Sequence, residues 1–465
     1  MHGDFSLNPL AYRDHVSRVL YQQGRVQLDS DVNELTESLL RAARGLASDV
    51  IGPHGGLQNS FEIRRGPDDF LIRWGEYYVD GLRCVNLPKE DFWDSVAKPP
   101  ATFDEGLPFR EQPWVFRSKA DTKDLDLKPG LFYLDAFEHS VSPAQDDSLR
   151  ESALMGADTS SRAILVWQVR KLTPDETRDW NNVVIPGLPH LPDIYDRAYL
   201  QLNLFLRPGA RLAARATLTE TTDPCVISPD ASYRGLDNRL FRVEIHEPGG
   251  LLNGKLAGDP KFKFSRDNGA EVYPIRTIEG TTVLLESLGR DQRTALRVND
   301  WVEVVDDEVL LMQKALPLLQ VLEVNRDDMT ITLSDEPKEN AGSKPALHPI
   351  LRRWAGPPMP IRLRDEKKPK ANWIDLADGV EVQFSLSTSY RTGFRTGDYW
   401  LIPARTATAD VVWPRDAKGH ALALAPHGVE HHYAPLERWD GGSGTAPAFT
   451  SLRRPFFPVT MLKKA

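Results

Sequence analysis

The feature that most constrains this fold is the regular interruption of the chain by glycine and proline. The 465 residues include 32 glycines and 35 prolines, and short apolar runs rich in Val, Ile, Tyr, Phe and Trp lie between them. Glycine and proline end helices, whereas β-branched and aromatic side chains favour strands. The sequence therefore predicts a mainly β fold with several short-stranded β-sandwich or barrel-like domains and long Pro-rich connections.

One segment near the N-terminus departs from this pattern and predicts a single amphipathic helix. Asp29, Ser30 and Asp31 supply hydrogen-bond acceptors and negative charge at its start, and Gly52-Pro53 ends it. Apolar side chains recur at spacings of four and three, which places one stripe about 33 Å long on the helix. We call this stripe the seam. Its predicted interface residues are Leu28, Val32, Leu35, Leu39, Leu46 and Val50.

The seam has to be covered, and the sequence leaves two alternatives open. The helix can pack on the sheets of its own chain, or it can form a contact with a neighbouring subunit. No second amphipathic helix follows closely in the sequence to pair with it. Buried seam side chains in the single chain would favour the first alternative, because a fold that covers its own apolar stripe needs no partner for it.

Changes in composition divide the chain into four predicted parts. Residues 1–55 form an arm and the amphipathic helix, which we expect to anchor the protein, and residues 56–207 form a first β-rich domain. Residues 208–345 form a second β-rich domain, a sandwich or a barrel. Residues 346–465 form a Pro-rich linker and an irregular β region.

The charge and the cysteine content of the chain indicate which partners and which cellular compartment to expect. Lys plus Arg total 57 and Asp plus Glu total 66, and the net charge of −9 opposes binding to the phosphates of nucleic acids. Cys84 and Cys225 are far apart, which favours a reducing compartment, with a single bridge as the alternative. The sequence starts without the apolar core of a signal peptide and has no spanning apolar stretch. We expect a cytoplasmic protein that does not insert into membranes.

Two glycine-containing motifs predict turns. Residues 249–255 (GGLLNGK) have the glycine and lysine spacing of a phosphate-binding loop, but Leu256 stands where the Mg²⁺-binding hydroxyl is needed. The residues that follow do not supply a helix N-terminus either, so the segment predicts a glycine-rich hairpin loop. Asp80-Gly81 suits the positive φ angles of a tight hairpin between two strands.

A histidine cluster near the C-terminus imitates a metal site. His427, Glu430 and His431 have the spacing of an inverted zinc-protease motif, but Pro426 and Gly428 disfavour the helix that this motif needs. We expect core or interface histidines. Metal binding stays open as an alternative for some combination of His420, His427, His431 and His432.

The remaining motifs do not assemble a catalytic site. Asp29, Asp31 and Asn33 resemble the start of a calcium loop, but Glu34 and Leu40 replace its glycine and its glutamate, so a capped helix explains them better. There is no Gly-x-Ser-x-Gly elbow, and neither cysteine lies in an activating motif. We therefore expect no enzymatic activity, no metal and no cofactor.

Aromatic side chains offer a second kind of surface. Most of them are expected to fill the cores of short-stranded domains, with sugar stacking or protein contact as the alternative. The candidates are Trp74, Tyr77, Tyr78, Trp93, Trp114, Trp301, Trp354, Trp373, Tyr399, Trp400 and Trp413.

Seven sequence blocks carry a resemblance that covers most of the chain. They are GDFS at 3–6, VLYQQGRVQLDSDVNE at 19–34, GEYYVDG at 75–81, YRGLDN at 233–238, FRVEIH at 241–246, FKFSRDNG at 262–269 and GDYWLIPAR at 397–405. With these blocks the chain resembles a bacterial family of uncharacterised proteins that is associated with phage tails and contractile injection systems. Phe264 and Val32 depart from the tryptophans expected in relatives, so aromatic packing differs there.

The resemblance implies a structural component of a phage-tail-like contractile injection particle, in the baseplate or spike region, without established catalytic residues. Its partners would be other particle subunits and copies of itself, and the particle would leave the cell by lysis. Two alternatives stay open. One is a receptor- or glycan-binding module at the particle tip that uses exposed aromatics, and the other is a glycan hydrolase.

Overall fold

Strands supply most of the secondary structure, which confirms the predicted mainly β fold. A computed structural model describes residues 1–6, 16–66, 69–87, 106–116, 128–183, 194–217, 232–252, 255–289, 291–365, 367, 371–387, 392–441 and 449–457. In the described part, no helix combines the length and the apolar character needed to cross a membrane.

The helices are α1 (Asp29–Ile51), α2 (Pro174–Asn181), α3 (Ile194–Leu206) and α4 (Asp307–Leu311). The strands are β1 (His54–Leu57), β2 (Ile63–Arg65), β3 (Phe70–Ile72), β4 (Gly75–Val79), β5 (Leu82–Asn86), β6 (Leu107–Pro108), β7 (Gly130–Val141), β8 (Arg162–Lys171), β9 (Ala210–Ala216), β10 (Arg239–Glu247), β11 (Gly250–Leu252), β12 (Lys255–Ala257), β13 (Lys261–Ser265), β14 (Val272–Glu279), β15 (Thr282–Leu285), β16 (Trp301–Val305), β17 (Leu319–Asn325), β18 (Thr330–Leu333), β19 (Ile350–Trp354), β20 (Met359–Pro360), β21 (Ile374–Ala377), β22 (Val380–Leu386), β23 (Tyr399–Arg405), β24 (Asp410–Val411), β25 (His431–Trp439), β26 (Phe449–Ser451) and β27 (Pro455–Phe456).

The chain forms two compact units that are discontinuous in sequence. Unit 1 contains residues 1–35, 140–164 and 208–429, and unit 2 contains residues 36–139, 165–207 and 430–465. Helix α1 therefore begins in unit 1 and continues into unit 2. The four-part division expected from the sequence stays a prediction.

Unit 1 has a sandwich-like region with one aromatic-rich core. The five-stranded sheet β20-β13-β10-β23-β24 and the three-stranded sheet β21-β22-β9 contribute side chains to the same buried cluster. Phe262 of β13 lies 5.0 Å from Phe384 of β22, ring centre to ring centre, and Trp400 of β23 is fully buried beside them. Aromatic packing of this kind is a major source of stability in short-stranded domains.

Unit 1 also contains a closed six-stranded barrel. Its strand order is β14-β15-β18-β17-β16-β19, and its interior is filled by branched side chains such as Val283, Val302 and Ile350. Strand β19 lies in the stretch that the sequence suggested as a Pro-rich linker. Arg352 and Arg353 give this strand a charged sequence, although Arg352 is buried.

Unit 2 is built from three small sheets around its own core. Their orders are β27-β1-β4-β5, β2-β3-β6 and β26-β25-β7-β8. Phe70 and Phe132 meet edge to face at 4.9 Å in the shared core. The predicted Asp80-Gly81 hairpin is confirmed, since Val79 of β4 pairs with Leu82 of β5 and both turn residues have positive φ.

Three of the sequence blocks that carry the resemblance lie side by side in unit 1. Block 241–246 is in β10, which pairs with β13 on one side and with β23 on the other. Val243 of β10 is opposite Phe264 of β13 and Trp400 of β23. Segments far apart in sequence therefore form one continuous sheet, which positions the N-terminal residues described below.

Candidate functional site: an exposed apolar face on α1

The seam of α1 is exposed along its length. Leu35 is half-buried, and the other predicted interface side chains retain between 47% and 76% of their accessible surface. These exposed residues are Leu28 (53%), Val32 (47%), Leu39 (60%), Leu46 (65%) and Val50 (76%). The seam is therefore not covered by the chain's own sheets, and its use as an interface stays a prediction.

The opposite, polar face of α1 is the buried one. Ser30, Glu34 and Ser38 follow one another at spacings of four and are only 5–7% exposed. At about 3.6 residues per turn, Ser30 lies opposite the seam, and Glu34 and Ser38 lie progressively nearer to its edge. A surface helix normally buries its apolar stripe and exposes its polar face, so this orientation is inverted.

Hydrogen bonds and close backbone packing fix both ends of α1. At the start, the amide and the hydroxyl of Ser6 donate to the carboxylate of Asp29 at 2.9 and 2.6 Å. Farther along, Arg44 Nη2 pairs with Glu138 Oε1 at 2.6 Å. A Cβ on Gly81 would lie 2.2 Å from the Arg44 carbonyl oxygen, so the β4–β5 turn can approach the helix this closely only with glycine there.

Residues 1–6, which we call the strap, are held on unit 1 through their backbone carbonyls. Side chains of three different segments donate to these carbonyls at 2.9–3.1 Å: Arg242 to Met1, Asn268 to Gly3 and Arg405 to Ser6. The Phe5 ring packs against a small buried cluster of Leu240, Tyr399 and Leu401. The strap and its bonds to Asp29 thus connect the core sheet of unit 1 to the start of α1.

A buried network of charges lies beneath the strap. Lys263 Nζ contacts both carboxylate oxygens of Glu303 at 2.6 and 2.7 Å and Glu244 at 3.2 Å. Arg242 Nε donates to Glu244 at 2.6 Å, and the Trp354 indole donates to Glu303 at 2.9 Å. Burial opposes ionisation of Glu244, but Arg242 and Lys263 outweigh it and hold the pKa of that carboxyl well below its usual range.

Two histidines in this region stay neutral near neutral pH. Burial lowers the pKa of His2 well below its ordinary value, and the nearby charges of Arg242 and Arg352 lower it further, although its Nε2 lies 3.1 Å from Glu244. Burial also lowers the pKa of His246 to about 4, and its Nδ1 has no hydrogen-bond partner among the described residues. The network therefore positions the strap, and its two histidines are neutral at pH 7.

The sequence-predicted histidines do not converge. His427 is in unit 1, where its Nδ1 accepts from the Leu401 amide at 3.0 Å and burial lowers its pKa to about 4. His431 and His432 begin strand β25 of unit 2, so the motif lies on extended chain. His431, His432 and His420 each have a different carboxylate partner. The pairs are His431 with Asp135 (2.7 Å), His432 with Asp80 (2.8 Å) and His420 with Asp416 (3.2 Å). Among the described residues, no three potential metal ligands cluster.

The other motifs have structural roles. Strands β11 and β12 pair in antiparallel register, which confirms the glycine-rich hairpin predicted for 249–255. Asp29, Asp31 and Asn33 lie in the first turns of α1. Cys84 is buried in the core of unit 2, where burial raises its pKa to about 12, and Cys225 lies outside the described residues.

Most of the candidate aromatics are inside the protein. Every tryptophan in the described part of the chain is buried or half-buried. The fully or nearly buried candidates are Tyr77, Trp354, Tyr399, Trp400 and Trp413, whereas Trp93 lies outside the described residues. Aromatic packing therefore explains most of this set.

The charge network beneath the strap was not predicted from the sequence, although a signal was present. Arg242, Glu244 and His246 alternate along β10, and side chains two apart lie on the same face of a strand. Three polar residues on one face of a strand in the middle of a sheet indicate a buried polar layer. The contributions of Lys263 and Glu303 depend on tertiary pairing and leave no comparable pattern.

Comparison with known proteins gives one family. The sequence model of a family of unknown function (DUF6519) matches residues 1–188 and 204–448, well over half of the chain. No curated protein and no solved structure matches. The matched residues include α1, the strap and every strand of the barrel and of the five-stranded sheet. The chain therefore belongs to the DUF6519 family.

Proposed function

We propose that the protein is a structural component of a phage-tail-like contractile injection particle, in its baseplate or spike region, where contacts between subunits hold it. Its partners are other particle subunits and further copies of the chain. The observation that carries this proposal is the inverted orientation of α1, with the apolar seam exposed and the polar side chains Ser30, Glu34 and Ser38 buried.

The energetics favour a covered seam. Complete burial of a Val or Leu side chain contributes about 1.5–3 kcal/mol. Each exposed seam residue retains roughly half to three-quarters of its surface, so covering it contributes on the order of 1 kcal/mol. Four such side chains on α1, together with Leu28 directly before it, form a stripe of the kind that marks protein interaction sites.

The way α1 is held also supports a docking role. Ser6 fixes the start of the helix and Glu138 pairs with Arg44 farther along, so the seam is presented on a positioned element. A rigid surface loses less conformational entropy when it binds than a flexible one. The resemblance of block 19–34 to proteins associated with phage tails adds the class of assembly, since this block includes the first six residues of α1.

The experiment compares incorporation of seam and control variants into particles. Leu39→Gln together with Leu46→Gln makes the seam polar, and Leu322→Gln together with Leu422→Gln makes the same change at exposed leucines elsewhere. Particles are purified from cells that produce them, and the amount of this chain per particle is measured by quantitative mass spectrometry. We expect at least a tenfold loss for the seam variant and normal incorporation of the control.

Normal incorporation of the seam variant would contradict the proposal, as would absence of the wild-type chain from the particles. The tip-binding alternative makes a different prediction, because it requires binding of the isolated protein to a glycan array. Thermal unfolding of both variants checks that they are folded.

A further inference from the structure

A second exposed apolar segment precedes the helix. Residues 16–28, which we call the arm, form no strand or helix in the described structure. Leu20 and Val26 are 71% and 85% exposed, and Tyr21 and Leu28 are also exposed. Exposed apolar side chains that lie close together mark interaction sites, and the described part of the chain leaves these four side chains exposed.

The backbone of the arm makes few hydrogen bonds with the described residues. Among the described residues, the one backbone hydrogen bond made within 16–27 runs from the Arg25 amide to the Gln22 carbonyl at 3.3 Å. It closes a turn in which Gly24 has a φ of 70°. A segment that belongs to no sheet of the described structure can add its backbone to the edge of a sheet in another molecule, which offers complementary amide and carbonyl groups.

Residues that are bound to unit 1 flank the arm in the sequence. On one side the strap is bound by Arg242, Asn268 and Arg405, and on the other side Ser6 binds Asp29, the residue that follows the arm. Tethering restricts the arm before it binds, which reduces the entropy that docking costs. Leu28 is the last residue of the arm and the first of the seam, so the two apolar surfaces are continuous.

The charge of the arm indicates which kind of surface it binds. The arm contains Arg18 and Arg25 and no acidic residue, whereas the whole chain carries a net charge of −9. Two arms repel each other, but an arm is attracted to the acidic body of another copy. An arm that meets a different surface of its neighbour makes a head-to-tail contact, which builds rings or stacks when it repeats.

We propose that the arm docks on a second copy of this chain by adding its backbone to a sheet edge of that copy. The contact is head-to-tail, with Leu20 and Val26 on the apolar side and Arg18 and Arg25 against acidic side chains. It deepens the proposed function, on which it rests, by naming the contact that joins one copy to the next.

Sedimentation velocity of the purified full-length chain tests the contact. Arg18→Glu with Arg25→Glu reverses the charge of the arm. Arg276→Glu with Arg326→Glu makes the same change in net charge at exposed barrel residues. We expect self-association of the wild type that weakens at least tenfold in the arm variant and changes less than twofold in the control.

A wild-type chain that stays monomeric at about 0.1 mM would overturn the inference, and so would association that the arm variant leaves unchanged. Particle incorporation separates the two proposals. If particles contain the chain but self-association does not depend on the arm, the inference fails and the proposed function stands. If the chain self-associates through the arm but never enters particles, the proposed function fails and the inference stands.

Discussion

Ser6 binds the carboxylate of Asp29 with both its amide and its hydroxyl, at 2.9 and 2.6 Å. Twenty-three positions separate the two residues, and the bonds join the strap to the first residue of α1. Burial alone would raise the pKa of Asp29, but these hydrogen bonds lower it, which keeps the carboxylate ionised at the positive end of the helix dipole. The orientation of the helix, and with it the exposure of the seam, therefore depends in part on the strap.

Replacing Asp29 by Ala should destabilise the start of α1 by about 1 kcal/mol, because the helix loses an acceptor and a favourable charge in its first turn. Hydrogen exchange should increase at the first amides of α1 and in the strap. Ser6→Ala leaves the Ser6 amide in place and should have a smaller effect. Unchanged exchange in Asp29→Ala would contradict the role assigned to this contact.

Substitution of Gly81 by Ala should destabilise the protein by about 2–4 kcal/mol. Two costs add up, since the φ of 79° strains any side chain and the new Cβ would lie 2.2 Å from the Arg44 carbonyl oxygen. Gly419→Ala is the matched control, because Gly419 has a φ of 82° and open space around it, so only the backbone cost of about 1 kcal/mol applies. Equal losses of stability for Gly81→Ala and Gly419→Ala, measured by urea unfolding, would show that the close approach to α1 has no energetic role.

Removing one member of the buried ion pair between Lys263 and Glu303 should destabilise the protein. Glu303→Gln leaves the Lys263 ammonium buried with a weaker partner and is expected to destabilise the protein by about 3–5 kcal/mol. The double variant Lys263→Met, Glu303→Gln removes the uncompensated charge and should regain part of this loss. Chemical denaturation measures both, and a double variant less stable than Glu303→Gln would contradict the pairing.

Stability should decrease as pH falls below about 6.5, the ordinary pKa of histidine. Burial depresses the folded-state pKa values of His2, His246 and His427. As the pH falls, the unfolded chain therefore binds protons at these histidines before the folded chain does. The stabilisation is fully present above the unfolded pKa and is lost as pH falls toward about 4 for His246 and His427. Each histidine contributes a slope of up to about 1.4 kcal/mol per pH unit.

Urea unfolding between pH 7.5 and 5 measures this slope. His246→Gln should make it shallower, because the substituted side chain does not titrate. His432 has the opposite sign: burial opposes its protonation, but Asp80 and Glu430 raise its pKa, so its contribution is present at low pH and is lost as pH rises. A slope that His246→Gln leaves unchanged would rule out the assigned contribution of His246.

Local patterns predicted local structure well. The limits of α1 followed from Asp29 and Gly52-Pro53, and the β4–β5 turn from Asp80-Gly81. Strand β19 was not anticipated, because the adjacent Arg352 and Arg353 resemble a solvated linker until the barrel and Glu303 surround them. Helix α3 was also not anticipated, although Asp193, a residue type favoured at helix starts, precedes it in the sequence.

The candidate site, too, could be predicted only in part from the sequence. The spacing of Leu39 and Leu46 identified the seam, but periodicity shows only that two faces differ and does not show which face the chain buries. The burial of Ser30, Glu34 and Ser38 is a tertiary property, and so is the charge network beneath the strap. Long-range pairings of this kind are not encoded within any short window of the sequence.

Site-specific labelling of the seam tests its role as an interface most directly. Leu46→Cys is treated with a maleimide in the purified chain and in intact particles, with Leu322→Cys as the exposed control and the wild type as the background for Cys84 and Cys225. We expect position 46 to react readily in the purified chain and to be protected at least tenfold in particles, whereas position 322 should react in both. Equal labelling of position 46 in the purified chain and in particles would contradict it.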